Sequence, residues 1–174
     1  MTWTAISTAD NLQFVADDGN PEGTYYCYLT KEIGAPSYSF TFRGAKNVVL
    51  CLNGHTITGA EDSSKPVITV EEGKTFTLCD CGGEGQIIQV SQYSQGGVKV
   101  EGGTFNLYGG SITNNNAGAT GCKGGGVYVE SGTFTVSGNA NISGNKASAT
   151  SAAATEANNV YLAGAIRPSR LAAI

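Results

Sequence analysis

The 174-residue chain carries a net charge of −4 with a pI near 4.9, and its ten Lys and Arg residues are scattered, which argues against a phosphate-binding, nucleic-acid surface. No apolar run reaches the ~20 residues that cross a bilayer, so insertion into a membrane is not expected either. Glycine, at 25 residues, is about twice its usual share, while charged residues make up only 14%, the profile of many short strands joined by tight turns in a single domain.

Taken in chain order, Met1-Thr2-Trp3 opens without a basic region and apolar stretch, so an exported form is expected to have lost its leader beforehand. Residues 7–17 predict a short capping helix. Ser7 or Thr8 serves as N-cap, and Ile6, Leu12, Phe14 and Val15 supply apolar groups to lie across the first coil. From Asn47 onward the apolar residues alternate, the period of a strand with one buried face. Gly97-Val98-Lys99-Val100-Glu101-Gly102-Gly103-Thr104-Phe105-Asn106-Leu107-Tyr108 matches Gly126-Val127-Tyr128-Val129-Glu130-Ser131-Gly132-Thr133-Phe134-Thr135-Val136-Ser137 at a constant offset of 29 residues. An earlier copy runs from Ile68, with one extra residue before Thr75, and a later one starts at Val160-Tyr161-Leu162. The repeats fall near 67–97, 98–126 and 127–159 of one domain covering 1–163. Residues 164–174 break the pattern and are expected to be a tail foreign to it or the start of a further unit.

Three short strands per copy, with Gly-Gly, Asn-Gly or Gly-Asn turns between them, predict an all-β, right-handed parallel β-helix, or solenoid, in which equivalent strands of successive turns pair in parallel. Its core would be columns: Val48, Phe76, Phe105 and Phe134 in one, Leu50, Leu78, Leu107 and Val136 in a second, and Ile57, Ile87, Ile112 and Ile142 in a third. Asn115 and Asn145 fall at equivalent turn positions and are expected to form a side-chain ladder.

The phrases Gly23-Thr24-Tyr25-Tyr26-Cys27-Tyr28-Leu29-Thr30-Lys31-Glu32-Ile33, Asn47-Val48-Val49-Leu50-Cys51-Leu52-Asn53-Gly54-His55-Thr56-Ile57-Thr58-Gly59 and Gly124-Gly125-Gly126-Val127-Tyr128-Val129 resemble the pectate-lyase-like β-helix modules of large surface proteins from gut Firmicutes. The resemblance covers roughly residues 3 to 163 and its motifs are structural. It implies a secreted, wall-associated and often adhesive role, outside the cell at the bacterial surface, without naming a ligand. Free thiols suit such a protein when its host is an anaerobe.

Candidate chemistry falls on the outward positions of the first strand of each repeat. Thr69, Lys99, Tyr128 and Tyr161 form one ladder, and Glu71, Glu101 and Glu130 a second. Carboxylates one rung apart, about 4.8 Å, repel, so the acidic ladder is either relieved by Lys99 and Lys74 or recruits a weak calcium ion. A lyase would want a basic residue facing the same groove, for which Arg43 is the arginine nearest the repeats. A hydrolase would want paired aspartates, and only Asp17-Asp18 in the cap are adjacent. His55 follows an Asn-Gly turn without a triad partner. Cys79-Asp80-Cys81 would put two thiols on one strand face, with Cys51 a rung below Cys79. Flat strands suit neither a zinc cluster with Cys27 or His55 nor a Cys51–Cys79 disulfide. No catalytic, cofactor or metal residues are therefore assigned. The leading expectation is a non-catalytic binding or adhesion module recognising a host or environmental glycan or protein through Lys99, Tyr128, Tyr161, Glu71, Glu101 and Glu130. Its rivals are a structural spacer and a polysaccharide lyase.

Overall fold

A computed structural model describes residues 1–17, 23–35, 37–44, 47–91, 94–118, 122–148 and 156–164. Asp18 and the tail from residue 165 lie outside these. The chain is a parallel β-helix. After an edge strand β1 (Trp3–Ile6) and the helix α1 (Ala9–Asp17), the coils run through β2 (Thr24–Leu29) and β3 (Ile33–Gly34), then β4 (Phe40–Phe42), β5 (Asn47–Cys51) and β6 (Thr56–Gly59). The next coil holds β7 (Ile68–Glu71), β8 (Thr75–Cys79) and β9 (Gln86–Gln89). Then come β10 (Val98–Leu107), β11 (Ser111–Thr113) and β12 (Asn116–Ala117), and after them β13 (Val127–Val136), β14 (Asn141–Ser143) and β15 (Lys146–Ala147). The described chain closes with β16 (Glu156–Ala157) and β17 (Val160–Leu162). Among the described residues every strand pairing is parallel except β15 with β16.

The columns form in the expected register. Val48 pairs with Phe76, Phe76 with Phe105 and Phe105 with Phe134, and the rings of Phe42, Phe76, Phe105 and Phe134 stack with centroids 4.2, 5.7 and 5.3 Å apart. Leu50, Leu78, Leu107 and Val136 align beside them, and the isoleucine column starts one rung earlier than anticipated, at Ile33. Cover falls off toward the last described coil: Leu107 is fully buried, whereas Val136 is 49% exposed.

Two expectations need correction. The first two strands of a coil are separate in the earlier coils, β4 from β5 and β7 from β8; in the later coils they fuse into the bent, ten-residue β10 and β13, which turn at Gly102 and Gly132 with positive φ. A side chain at Gly132 would collide with the Gly103 carbonyl, so the corner demands glycine on both counts. In the cap, Thr8 is the N-cap, its Oγ1 accepting from Asn11 N–H at 3.1 Å, and Leu12, Val15 and Ala16 are buried. Phe14 is not part of that face. It is 68% exposed, because at ~100° per residue position 14 is turned away from the 12/15/16 stripe.

An asparagine ladder closes the turns after β11 and β14. Asn145 Oδ1 accepts from both the backbone N–H (3.0 Å) and the Nδ2 (2.8 Å) of Asn115, while Asn145 Nδ2 donates to the Ile112 carbonyl at 2.8 Å. Asn159 repeats the motif one coil on, accepting from Asn145 N–H and Nδ2 at 3.1 Å each.

Candidate functional site

Stacked strands hold the outward residues of β4, β7, β10, β13 and β17 in a straight column: Thr41, Thr69, Lys99, Tyr128 and Tyr161. At its N-terminal end this face is walled into a cleft of about 590 Å³. Helix α1 contributes Gln13 and Asp17, the segment before β4 contributes Tyr38 and Ser39, and Lys65 and Gln95 close the far side. Thr41, Arg43, Thr69, Glu71, Lys99 and Glu101 supply the rest of the lining. The helix is fixed there by its own backbone, since the Ala16 carbonyl accepts from the N–H groups of Arg43 and Gly44 at 3.2 and 3.0 Å. Arg43 Nε in turn donates to Asp17 Oδ1 at 2.7 Å, and the hydroxyls of Ser39 and Thr69 share a hydrogen bond of 2.8 Å beneath them.

The lining is balanced in charge. Three carboxylates (Asp17, Glu71, Glu101) face three cations (Arg43, Lys65, Lys99), and the remainder is hydroxyl and amide. Lys99 is the pivot. Its Nζ lies 2.5 Å from Glu101 Oε1 and 3.1 Å from Glu130 Oε2, with the side chain only 17% exposed. Burial alone would disfavour its charge, but the hydrogen bonds it donates to Glu101 and Glu130 outweigh that and raise its pKa, so Lys99 is a fixed cation at neutral pH.

The six residues expected from sequence thus share one face, with one difference of register. Glu101 pairs with Ser131, not Glu130, because β10 and β13 slip past each other at their glycine corner. Glu130 nonetheless reaches Lys99. Two carboxylates of the acidic ladder, Glu101 and Glu130, are therefore answered by an ammonium from within the protein, and among the described residues no group of three or more His, Cys, Asp or Glu side chains is placed to hold a metal ion. Past the cleft, Tyr128 and Tyr161 continue the face, their rings 5.8 Å apart; Lys99 Nζ lies 5.8 Å from the Tyr128 ring, and Lys123 Nζ donates to Tyr161 Oη at 3.0 Å. Sequence reasoning missed Gln13, Tyr38, Ser39, Thr41, Lys65 and Gln95. They sit in or beside non-repeating segments, and the one available signal was Arg43, the arginine closest to the repeats.

Of the other candidates, His55 is a turn residue: its N–H donates to the Leu52 carbonyl and its Nδ1 lies 3.4 Å from Glu32 Oε1. The thiols are arranged differently from the expectation. Strand β8 ends at Cys79, so Cys81 is not on its face; it lies in the following turn, which brings its sulfur to Cys51.

Searched against family models, curated proteins and solved structures, the chain has no match. What the fold and this face define is accordingly a class: a parallel β-helix bearing a charge-balanced polar cleft that opens onto a tyrosine strip.

Proposed function

We propose that this chain is a non-catalytic binding module of a bacterial cell-surface protein, and that its partner is a glycan chain lying in the cleft and running out over Tyr128 and Tyr161. The observation that carries this reading is the charge balance of the cleft. A lining with three charges of each sign, mixed with hydroxyl and amide groups, suits an uncharged ligand rich in hydroxyls better than a polyanion or an apolar segment. Tyr128 stands on β13, which is paired on both sides, and Tyr161 on β17, which pairs with it, so these half-buried rings present an aligned surface on which a sugar ring can pack. The resemblance to pectate-lyase-like surface modules supports an extracellular place for it. A lyase reading is less well supported, because Lys99, held protonated by two glutamates, is a poor group to abstract a proton.

The test is a screen of neutral and acidic oligosaccharides on the immobilised domain, followed by calorimetry on the hits. Tyr128→Ala combined with Tyr161→Ala should lower affinity about a hundredfold, ~1.4 kcal/mol per ring, with the far-ultraviolet spectrum unchanged. Undiminished affinity in that variant rejects this face. Binding to no glycan at all rejects the ligand class and leaves the spacer or a protein partner, while release of unsaturated uronides would make the chain an enzyme.

A further inference from the structure

On another face of the solenoid, where β5 and β8 end, four cysteines gather over adjacent rungs. Cys27 is wholly buried in the core cluster, and its thiol donates to the Val49 carbonyl. Cys51 and Cys79 are direct cross-rung partners on the outer side, and the Cys79 thiol is directed to the Leu50 carbonyl at 3.6 Å. Cys81 reaches back from the turn. Its Sγ stands 2.7 Å from Cys51 Sγ, and its backbone N–H donates to the same sulfur at 3.2 Å. Two sulfurs at that separation are inside van der Waals contact yet wider than the ~2.05 Å of a disulfide, so a small torsional adjustment closes the bond. The turn itself is held in place independently: Asp80 accepts from the N–H groups of Gly54 (2.7 Å), Gly82 (3.2 Å) and Gly85 (2.8 Å), tying it to the Asn53-Gly54 turn of the preceding rung.

We propose that Cys51 and Cys81 are the two halves of a reversible disulfide that pins the turn after β8 to the rung before it, with Cys79 and Cys27 remaining thiols. Exposure sets the order of events. Cys51 is buried and Cys81 is exposed, so an external disulfide such as oxidised glutathione meets Cys81 first. The Cys81 thiolate attacks it, forming a mixed disulfide and releasing one glutathione thiol. Cys51 then attacks the Cys81 sulfur, forming the internal bond and releasing the second. The protein loses two hydrogens, and the oxidant gains them as two thiols. Burial and neighbouring sulfur raise the Cys79 thiol to about 12, so its thiolate is scarce at neutral pH; Cys81 is raised as well, by its hydrogen bond with Cys51 and by burial, but of the three it is the one exposed to the oxidant.

The full chain is equilibrated in glutathione buffers from reducing to oxidising, quenched in acid, alkylated in denaturant and digested without reduction for mass spectrometry. We expect one linked peptide pair, Cys51 with Cys81, and alkylated Cys27, Cys79 and Cys122. Cys79→Ser should keep the link, and oxidation should raise the urea midpoint of the unmutated protein. Five alkylated thiols at the oxidising end, or a link from Cys51 to Cys79 or Cys27 in the unmutated chain, overturns the assignment.

Discussion

Replacing Asn145 by alanine isolates what the asparagine ladder contributes. The side chain makes three kinds of bond within the stack: it accepts from Asn115 N–H and Nδ2, donates to the Ile112 carbonyl, and donates to Asn159 Oδ1. Asn115 Nδ2 keeps two other acceptors, the carbonyls of Ile87 and Thr113, so its loss is tolerable. The Asn115 backbone N–H has no such alternative, and the Ile112 carbonyl loses this donor. Asn115 and Asn145 are both buried, at 0% and 1% exposure. Leaving two buried polar groups short of a partner costs about 1–3 kcal/mol each, so Asn145→Ala should destabilise by about 2–6 kcal/mol.

Asn159→Ala is the internal comparison. It removes the same type of acceptor, but from an exposed residue whose vacated site water can reach, and should cost about 1 kcal/mol or less. Urea unfolding followed by far-ultraviolet dichroism and by tyrosine fluorescence gives both values, with coincident transitions confirming that one cooperative unit is being measured. An Asn145→Ala protein within ~0.5 kcal/mol of the parent, or one less affected than Asn159→Ala, would refute the reasoning.

The phenylalanine column should show the same gradient: Phe105→Ala, fully buried between two stacked rings, should cost about 3–5 kcal/mol, and Phe134→Ala, only half-buried, less than half as much; equal losses by urea titration would contradict the register. Burial, with help from Cys79 and Cys51, pushes the Cys27 thiol from its ordinary 9.0 up to about 12. Between those values the unfolded chain gives up a proton that the folded one keeps, so stability should fall by roughly 1.4 kcal/mol per pH unit above 9. Thermal midpoints from pH ~8 to ~11, compared with those of Cys27→Ala, check this; the same slope in both proteins would assign it elsewhere.

The core was readable because every turn of a solenoid poses the same packing problem. Phe-x-Leu at Phe76 and Phe105, and Phe-x-Val at Phe134, recur at one offset, and parallel pairing converts that offset directly into contact. Asn115 and Asn145 were readable for the same reason. Residues that solve a local problem once left no such trace. The cleft is roofed by Gln13 and Asp17 and walled by Tyr38, Ser39 and Lys65, each outside the repeats, and nothing in the sequence says that the cap leans over β4 and not over another sheet. Glu130 shows a third case. A constant offset sets it over Glu101, but the slip at the Gly132 corner puts Ser131 there, and a backbone irregularity of one residue is invisible in side-chain pattern.

The two ends of the stack also explain where a binding face can be built. The N-terminal coils are closed by β1 and by the buried stripe of α1, and there the outer face is enclosed by non-repeating segments that carry charge and hydroxyl groups. In the last two described rungs the inward-facing Val136 and Leu162 are 49% and 38% exposed, so less apolar burial holds those rungs in place. A ligand spanning Thr41 to Tyr161 would therefore touch both regimes: a preformed cleft at one end, where polar groups are already paired and aligned, and a more yielding tyrosine pair at the other. On the proposed glycan reading, specificity would belong to the first, because mismatched polar groups cannot relax there, and Tyr128 and Tyr161 would add affinity that tolerates variation in what they cover.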